Sequence, residues 1–230
     1  GRKRSVRHLA KRLHDTRAKT QRIHSLRRAG VRITPIVRAA ITPAITYAIE
    51  CVGASNTHLH NMRVAVAHAA AAEACGKNPD LVLWTADADT GTMDPAFDAH
   101  VLPLKFWAYA VWQQWRPPDV LDATIRNVQA KLDASKSTWA VTTGPVAVLL
   151  NSMWRIGWEL RSFAALTDDR GQTFDLRVDP PAVIERAARE SVRRWRLARI
   201  ANSFTSLREF CYSRQNSQGE VTHLLCPDVV

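Results

Sequence analysis

The N-terminal end of the sequence carries almost all of its net positive charge. Residues 1–38 contain 13 lysine and arginine residues and one acidic residue, Asp15, whereas the other 192 residues sum to a charge of −1. Each phosphate that such a group of cations neutralises releases condensed counterions, so the gain accumulates along a polyanionic strand. This distribution predicts a polyanion-binding segment, and the partner that it favours is the backbone of RNA or DNA.

A helical wheel separates the basic residues of this segment from its apolar ones. At about 100° per residue, one stripe comprises Val6, Leu9, Leu13, Thr16, Thr20 and Ile23. The opposite side comprises Arg4, Arg7, Lys11 and Arg22. We therefore predict a long amphipathic helix that packs through the stripe, stops near Gly30 and binds phosphates through these four cations. The alternatives are a solvated basic surface and a helix lying on a membrane, although the stripe has no Trp or Phe to anchor it there.

A second basic group lies near the C-terminal end of the chain. Residues 185–199 contain six arginines and two glutamates. We predict that Arg193, Arg194 and Arg196 also bind nucleic acid. Trp195 lies among them and is the tryptophan best placed to stack on a base.

Proline and glycine residues divide the rest of the sequence into helical patterns. Apolar residues recur every three or four positions in residues 97–115 and 121–132, and the two helices should pack antiparallel. Tryptophans in or beside such stripes, including Trp107 and Trp115, should be buried. The one strand pattern lies in residues 158–178. We predict a mostly α fold, an irregular helical bundle with a long basic N-terminal helix and one small β-hairpin near residues 158–178.

The patterning suggests three regions and an intracellular protein. We expect a basic helical region at residues 1–76, a second helical region at 77–200 and a loose polar tail at 201–230, where no period is clear. The sequence lacks a recognisable leader and an uninterrupted apolar run of about 18–20 residues, so we expect no membrane partner. Its four cysteines lack paired CxxC spacing, which is typical of reduced thiols.

The usual local signatures of catalysis are missing from the sequence. It contains no Walker A loop, GxGxxG, GxSxG or HExxH motif, so we predict no catalytic residue, no metal ligand and no cofactor in this segment. Two weaker metal patterns are an acidic loop with Asp87, Asp89 and Asp94, and an incomplete zinc knuckle with Cys211, His223 and Cys226. An enzyme that uses the acidic loop with a metal ion is therefore one alternative.

Several separated residues resemble a pattern found in reverse transcriptases of non-LTR retrotransposons. There, an Arg-rich helix after the polymerase core precedes a pattern of the type R…P…Y-G-x-E…G…L…R. The matching residues here are Arg38, Pro43, Tyr47, Glu50, Gly53, Leu59 and Arg63, with Ala48 at the position of the usual glycine. Further stretches look like the region after the polymerase in some protist retroelement proteins, namely Lys77-Asn78-Pro79-Asp80, Arg155-Ile156-Gly157-Trp158 and Arg193-Arg194-Trp195-Arg196.

The resemblance covers about residues 1–200 and implies the thumb and post-polymerase region of an RNA-directed DNA polymerase. Reverse transcriptases hold two metal ions about 4 Å apart with paired palm carboxylates, usually in a Tyr/Phe-Ala-Asp-Asp motif. This sequence has no such pair, so the implied role is positioning of a template-primer, with Mg²⁺ and an upstream palm supplied by a parent protein. The alternative from a different class is a free-standing helical interaction protein whose basic helix docks on an acidic partner.

Overall fold

The computed structural model describes residues 7–71, 76–87 and 91–203, together with the backbone of two strands at 213–215 and 221–223. The predicted mostly α fold is confirmed. The helices are α1 (Arg7–Arg28), α2 (Thr34–Ile36), α3 (Thr42–Thr46), α4 (Ile49–Val52), α5 (Asn56–Ala70), α6 (Pro79–Ala86), α7 (Pro95–Trp112), α8 (Pro118–Asp133), α9 (Thr138–Val141), α10 (Pro145–Arg155) and α11 (Pro181–Ser203), with a π-helical turn, Val37–Ile41, between α2 and α3.

Helix α1 is the predicted amphipathic helix, and its stripe packs on the rest of the chain. Leu9, Thr16 and Ile23 are buried against α5 and α3. The helix ends where Gly30 adopts a φ of 82°. The amide of Gly30 donates to the carbonyl of Arg27 and that of Val31 to Leu26, the paired bonds of a Schellman motif. The predicted stripe and stop are therefore confirmed, whereas Val6 lies outside the described residues.

The next stretch of chain is apolar but irregular. Thr34–Val52 is 19 residues long with a mean hydropathy of 1.2, which by length and composition alone would suffice to cross a membrane. A buried helix of a soluble protein meets the same criterion. In this fold the stretch is broken into α2, the π-helical turn, α3 and α4, and its Val37, Ile41, Ile45 and Ile49 side chains are buried within the protein.

Helix α7 lies at the centre of the molecule. It contacts α3, α4, α5, α10 and α11, and its face toward them includes the buried residues Phe97, Val101, Leu104 and Ala108. One hydrophobic cluster runs without a break from Leu9 in α1 to Val192 in α11. Residues on both sides of position 76 belong to it, so the regions 1–76 and 77–200 share one core.

Helix α8 does not have α7 as its main partner, as the matching stripes predicted, although its Leu121 belongs to the same buried cluster as Val111 of α7. Its main helical neighbour is α10, and Leu132 forms a separate small cluster with Ala147 and Leu150. An apolar stripe shows that a helix packs against something, but it does not identify the partner. The prediction failed because the partner of α8 comes later in the sequence than the nearest stripe.

The predicted hairpin is confirmed and has one additional strand. Strands β1 (Glu159–Leu160), β2 (Ala165–Thr167) and β3 (Thr173–Asp175) form an antiparallel sheet in that order, and the β2–β3 turn contains Asp169-Arg170-Gly171. Most of the predicted loose tail at 201–230 lies outside the described residues, so it stays a prediction there. Helix α11 continues to Ser203, and two further strands, β4 (Ser213–Gln215) and β5 (Val221–His223), pair antiparallel. Val221 and Thr222 are β-branched residues that favour this conformation.

The backbone at Ala48 predicts a stabilising substitution. Ala48 has a φ of 56°, a left-handed conformation that costs an L-residue with a side chain about 1–2 kcal/mol. Ala48→Gly should raise the free energy of unfolding by about 0.5–1 kcal/mol after the larger entropy loss of glycine is subtracted. Chemical denaturation measures this difference. The control, Ala18→Gly on the exposed side of α1, should lower stability by about 0.5–1 kcal/mol, and a loss at both positions would contradict the left-handed assignment.

Candidate nucleic-acid interface

Helix α1 exposes cations over the side of the helix that faces the solvent. We call this set the α1 basic face, and its residues are Arg7, Lys11, Arg17, Lys19, Arg22 and Arg28. Arg7, Lys11 and Arg22 lie opposite the buried stripe, as predicted, and Arg4 lies outside the described residues. From Arg7 to Arg22 the helix rises about 22 Å. A duplex strand carries about six phosphates over that length.

Polar contacts add to the apolar stripe in fixing α1 to the protein. Nη1 of Arg12 donates to the carbonyl of Tyr47 at 2.5 Å, and the Arg12 guanidinium lies 5.0 Å from the centre of the Tyr47 ring. Nε2 of His24 bonds to the carbonyl of His68 at 2.6 Å. These contacts fix the helix to the protein at Arg12 and at His24. The α1 basic face is therefore held in one position on the protein surface.

Within the described residues, the exposed lysines and arginines of α1 form no ion pair with a carboxylate. Among the residues that the structure describes, the one ion pair on α1 joins His14 to the neighbouring Asp15 at 3.7 Å. Arg12 and Arg27 bond to neutral backbone carbonyls instead of carboxylates. In the described part of the chain the positive charge of α1 therefore faces the solvent, which is what a phosphate-binding surface requires.

The second predicted group of basic residues, on α11, is arranged differently. Arg196 is 1% exposed, and its Nε lies 2.9 Å from Oδ2 of Asp94. The prediction that Arg196 binds nucleic acid is therefore wrong, since a phosphate cannot reach it. Arg193 pairs with Glu190 at 2.6 Å. Arg194 binds both carboxylate oxygens of Asp169, at 2.5 and 2.6 Å. Their charges are already matched, although the proposed phosphate contacts of these two residues stay a prediction.

Arg196 belongs to a buried group of charges that we call the core ion cluster, formed by Arg63, Asp80, Asp94 and Arg196. Nε and Nη2 of Arg63 donate to Asp94 at 2.9 and 2.7 Å, and Nη1 donates to Asp80. Asp94 also caps α7 by accepting from the amide of Ala96 at 2.9 Å. All four side chains are at most 4% exposed. The cluster therefore ties together α5, α6, α7 and α11.

The opposite charges in this cluster stabilise one another, whereas its two guanidinium groups repel. Burial lowers the pKa of the Arg63 guanidinium, but the carboxylates of Asp94 and Asp80 outweigh that effect and hold it above its usual value. Burial raises the pKa of Asp94, and the charges of Arg63 and Arg196 more than reverse this. For Arg196 burial prevails and its pKa is lowered. The Arg196 guanidinium also lies 5.3 Å from the Trp84 ring and 5.4 Å from the Phe97 ring, within cation–π range.

The acidic loop binds arginines. Asp94 pairs with Arg63, and Asp87, which is 2% exposed, accepts a hydrogen bond from Arg38. Of the three aspartates in the alternative metal site, Asp87 and Asp94 are thus bound to arginines, and Asp89 lies outside the described residues. In the described part of the chain no three His, Cys, Asp or Glu side chains could hold a metal together. Cys211 and Cys226 of the suggested zinc knuckle also lie outside it.

Residues of the reverse-transcriptase pattern occupy positions with specific conformational demands. Gly53 has a φ of 65°, and a Cβ there would lie 2.8 Å from the Trp139 ring. Ala48 is left-handed at the position where the pattern has glycine. Pro43 lies in the first turn of α3, and Leu59 is buried. The exposed Tyr47 ring lies beside Arg12, and Glu50 lies in the first turn of α4.

The tryptophans divide between the core and the surface. Trp107 is buried as expected, and its Nε1 donates to the carbonyl of Phe163. Trp115 is 50% exposed, so the expectation that it is buried is wrong. It lies beyond the end of α7, where the helical period no longer determines burial. Trp195 is half-buried, with the His100 ring 5.1 Å from its own ring.

The histidine beside Trp195 is buried in its neutral form. Nδ1 of His100 donates to the carbonyl of Ala96 at 2.5 Å, so the lone pair is on Nε2, which lies 3.5 Å from the Arg155 guanidinium. Burial, followed by the charge of Arg155, lowers the pKa of His100 to about 3. A proton on Nε2 would place two cations side by side in the core.

Sequence reasoning missed the core ion cluster and His100. The available signals were an arginine, Arg63, between buried positions of α5, and an aspartate, Asp94, directly before the first turn of α7. Taken alone, Arg63 is explained as a solvated charge and Asp94 as a helix cap. The pairing across 31 residues becomes visible only when the helices are packed.

Breaking the core ion cluster should destabilise the fold. Arg63→Met removes the cation that Asp80 and Asp94 share. Among the described residues it leaves them with only Arg199, at 3.5 Å, and Arg196, at 2.9 Å, which should lower the free energy of unfolding by about 3–5 kcal/mol. Urea denaturation measures the loss. Arg161→Met on the exposed surface is the control and should change stability by less than about 0.5 kcal/mol. A loss below about 1 kcal/mol at Arg63 would show that the cluster is not formed.

Neutral His100 should make stability fall on acidification. Its folded pKa lies below its ordinary value of 6.5, so the unfolded chain takes up the proton first and stability is lost as pH falls through that window. In His100→Asn the side-chain amide can still donate to the carbonyl of Ala96. Asn151 makes the equivalent bond to the carbonyl of Ala147 in α10. Between pH 6 and 4 the wild type should lose up to about 1.4 kcal/mol per pH unit more than this variant. His60→Asn, at an exposed position, should keep the wild-type slope; equal slopes for all three proteins would refute the assignment.

Comparisons with known proteins leave the function to be argued from this geometry. No protein-family model matches the chain, no curated protein matches it, and no solved structure matches it. Three structural features therefore bear on the function. They are the α1 basic face, the core ion cluster and the positions of the residues that resemble the retroelement pattern.

Proposed function

We propose that the α1 basic face binds the sugar-phosphate backbone of a nucleic acid. The observation that carries this proposal is that its cations are exposed and make no ion pair with a carboxylate in the described structure, although the helix itself is firmly docked. Arginine and lysine on a fixed helix can neutralise several phosphates of one strand at once. Such contacts carry no sequence information, so the role is to position the strand.

We further propose that the chain is the nucleic-acid-positioning C-terminal region of a retroelement reverse transcriptase. The left-handed backbone at Ala48 supports this proposal, because the conformation explains why the related pattern has glycine there. The positive φ and close packing at Gly53 support it in the same way. Asp87 and Asp94 are bound to arginines. A palm domain elsewhere in the parent protein would therefore carry out polymerisation with Mg²⁺. This region would contact that palm domain.

A second candidate function is docking of the α1 basic face on an acidic protein. Several aromatic side chains are exposed. Tyr47, beside Arg12 of α1, is 69% exposed, and Tyr109, Trp112 and Trp115, in or just beyond the last turn of α7, are 40–50% exposed. An interface between proteins commonly uses exposed aromatic residues, whereas binding of a phosphate backbone does not need them. Competition separates the two functions. A nucleic acid that displaces an acidic protein partner favours the first, and one that fails to do so favours the second.

The proposal predicts a steep salt dependence that depends on α1. The logarithm of the binding constant for a single-stranded or duplex oligonucleotide should fall linearly with the logarithm of salt concentration, by about 0.7–0.9 for each phosphate engaged. Arg7→Ala, Lys11→Ala and Arg22→Ala combined should weaken binding and make the slope shallower by about 2–3. Fluorescence anisotropy over a range of salt concentrations measures both quantities.

A charge-matched control makes this test specific. Arg126→Ala, Lys136→Ala and Arg161→Ala remove the same formal charge from exposed positions outside α1. This control should retain the wild-type slope, and oligonucleotides of different sequence should bind alike. Binding that is insensitive to salt, or an equal loss in the two triple variants, would overturn the proposal.

A further inference from the structure

A cavity of about 220 Å³ lies beside the core ion cluster, on elements other than α1. It is bordered by the start of α5, the end of α10 and α11. Its polar and aromatic lining consists of Asn56, His60, Arg63, Arg155, Trp195 and Arg199, and no described lining residue is acidic. The volume is far above the roughly 10–15 Å³ that one water molecule needs. The space can therefore hold a group of several atoms, and its lining favours an anion.

Arg63 lines this cavity, and its guanidinium has more hydrogen-bond donors than its contacts with Asp94 and Asp80 use. A guanidinium has five N–H bonds, and the contacts of Arg63 to Asp94 and Asp80 use one on each nitrogen. Within the described residues, one N–H on each terminal nitrogen has no acceptor. The side chain is 2% exposed, so these donors are held in a fixed position by the carboxylates behind them.

Arg199 supplies a second guanidinium at the mouth of the cavity. Its side chain is 45% exposed and only its Nε reaches a carboxylate, with Asp80 Oδ1 at 3.5 Å. Its two terminal nitrogens make no hydrogen bond within the described residues. The guanidinium lies 5.1 Å from the Trp195 ring centre. Arg199 can therefore keep its stacking contact with Trp195 while its terminal nitrogens bind an anion.

Arg155 defines the far side of the cavity. Its Nη2 donates to the carbonyl of Ala54 at 2.7 Å, and its guanidinium lies 4.6 Å from the centre of the Trp139 ring. These contacts fix the orientation of its positive charge. Together with Arg63 and Arg199 it gives the cavity three guanidinium groups, the side chain best suited to bind phosphate oxygens in pairs.

We propose that this cavity binds a phosphate monoester. A monoester ends in a compact group with three free oxygens and nearly two negative charges, which suits a concave site with three arginines. A diester inside a continuous strand carries substituents on both sides and suits the open surface of α1 instead. The monoester can belong to a free nucleotide or to the 5′ end of a nucleic-acid strand. The proposal does not depend on the function proposed for α1.

Calorimetric titration of the full chain tests the site. A nucleoside 5′-monophosphate and inorganic phosphate should bind, and the nucleoside without phosphate should not. Arg199→Gln should weaken binding of the monophosphate by about tenfold or more, because a charge-assisted contact is lost. Arg186→Gln removes the same charge from an exposed position on the same helix and should change affinity by less than about twofold.

A second variant keeps the test independent of any structural role of Arg199. Asn56→Asp places a negative charge in the first turn of α5, which favours the helix but repels a phosphate in the cavity. It should retain the melting temperature and weaken binding of the monophosphate by about tenfold. No saturable binding of the monophosphate by the wild type, or equal effects of Arg199→Gln and Arg186→Gln, would overturn the proposal.

Oligonucleotides distinguish the two sources of the phosphate. In the background Arg7→Ala, Lys11→Ala and Arg22→Ala, binding to α1 is weakened and the cavity is intact. Tighter binding of a 5′-phosphorylated oligonucleotide than of its 5′-hydroxyl counterpart assigns the site to strand ends. Equal binding of the two, with the free monophosphate still bound, assigns it to nucleotides. Loss of salt-dependent binding without loss of monophosphate binding would contradict only the function proposed for α1.

Discussion

The ion pair between Arg63 and Asp94 determines how the helices of this protein can be arranged. Asp94 performs two tasks, since it caps α7 and neutralises both Arg63 from α5 and Arg196 from α11. A buried ion pair adds little net stability relative to apolar residues, but a misplaced partner leaves an uncompensated charge at a cost of several kcal/mol. The free-energy cost of separating α5 or α11 from the start of α7 is therefore larger than the net stability that the ion pair adds to the native packing.

This constraint divides the arginines of the chain into two sets. Arginines of the core ion cluster are surrounded by carboxylates and aromatic rings, and they hold helices together. Arginines of α1 project away from a stripe of Leu9, Thr16 and Ile23 and form no ion pair with a carboxylate in the described structure. Both sets follow from the same physics, because a guanidinium must be either paired or solvated. The solvated set is the one that an external polyanion can neutralise.

The sequence predicted those features that depend on local periodicity. The stripe of α1, its end at Gly30 and the turn at Asp169-Arg170-Gly171 were predicted because each is encoded within a few consecutive residues. The failures involve contacts between distant segments. Arg196 was placed at the surface because its neighbours in the sequence are basic, whereas its partner Asp94 lies 102 positions earlier. The partner of α8 and the pairing of β4 with β5 were missed for the same reason.

Selective modification of arginines by phenylglyoxal, read by mass spectrometry with and without an oligonucleotide, tests the division of the arginines most directly. The account predicts rapid modification of Arg7, Arg17 and Arg22 in the free protein and protection of all three by nucleic acid. Arg63 and Arg196 should remain unmodified in both states for as long as the protein is folded. Modification of these two at the rate of the α1 arginines, or unchanged modification of α1 in the complex, would contradict it.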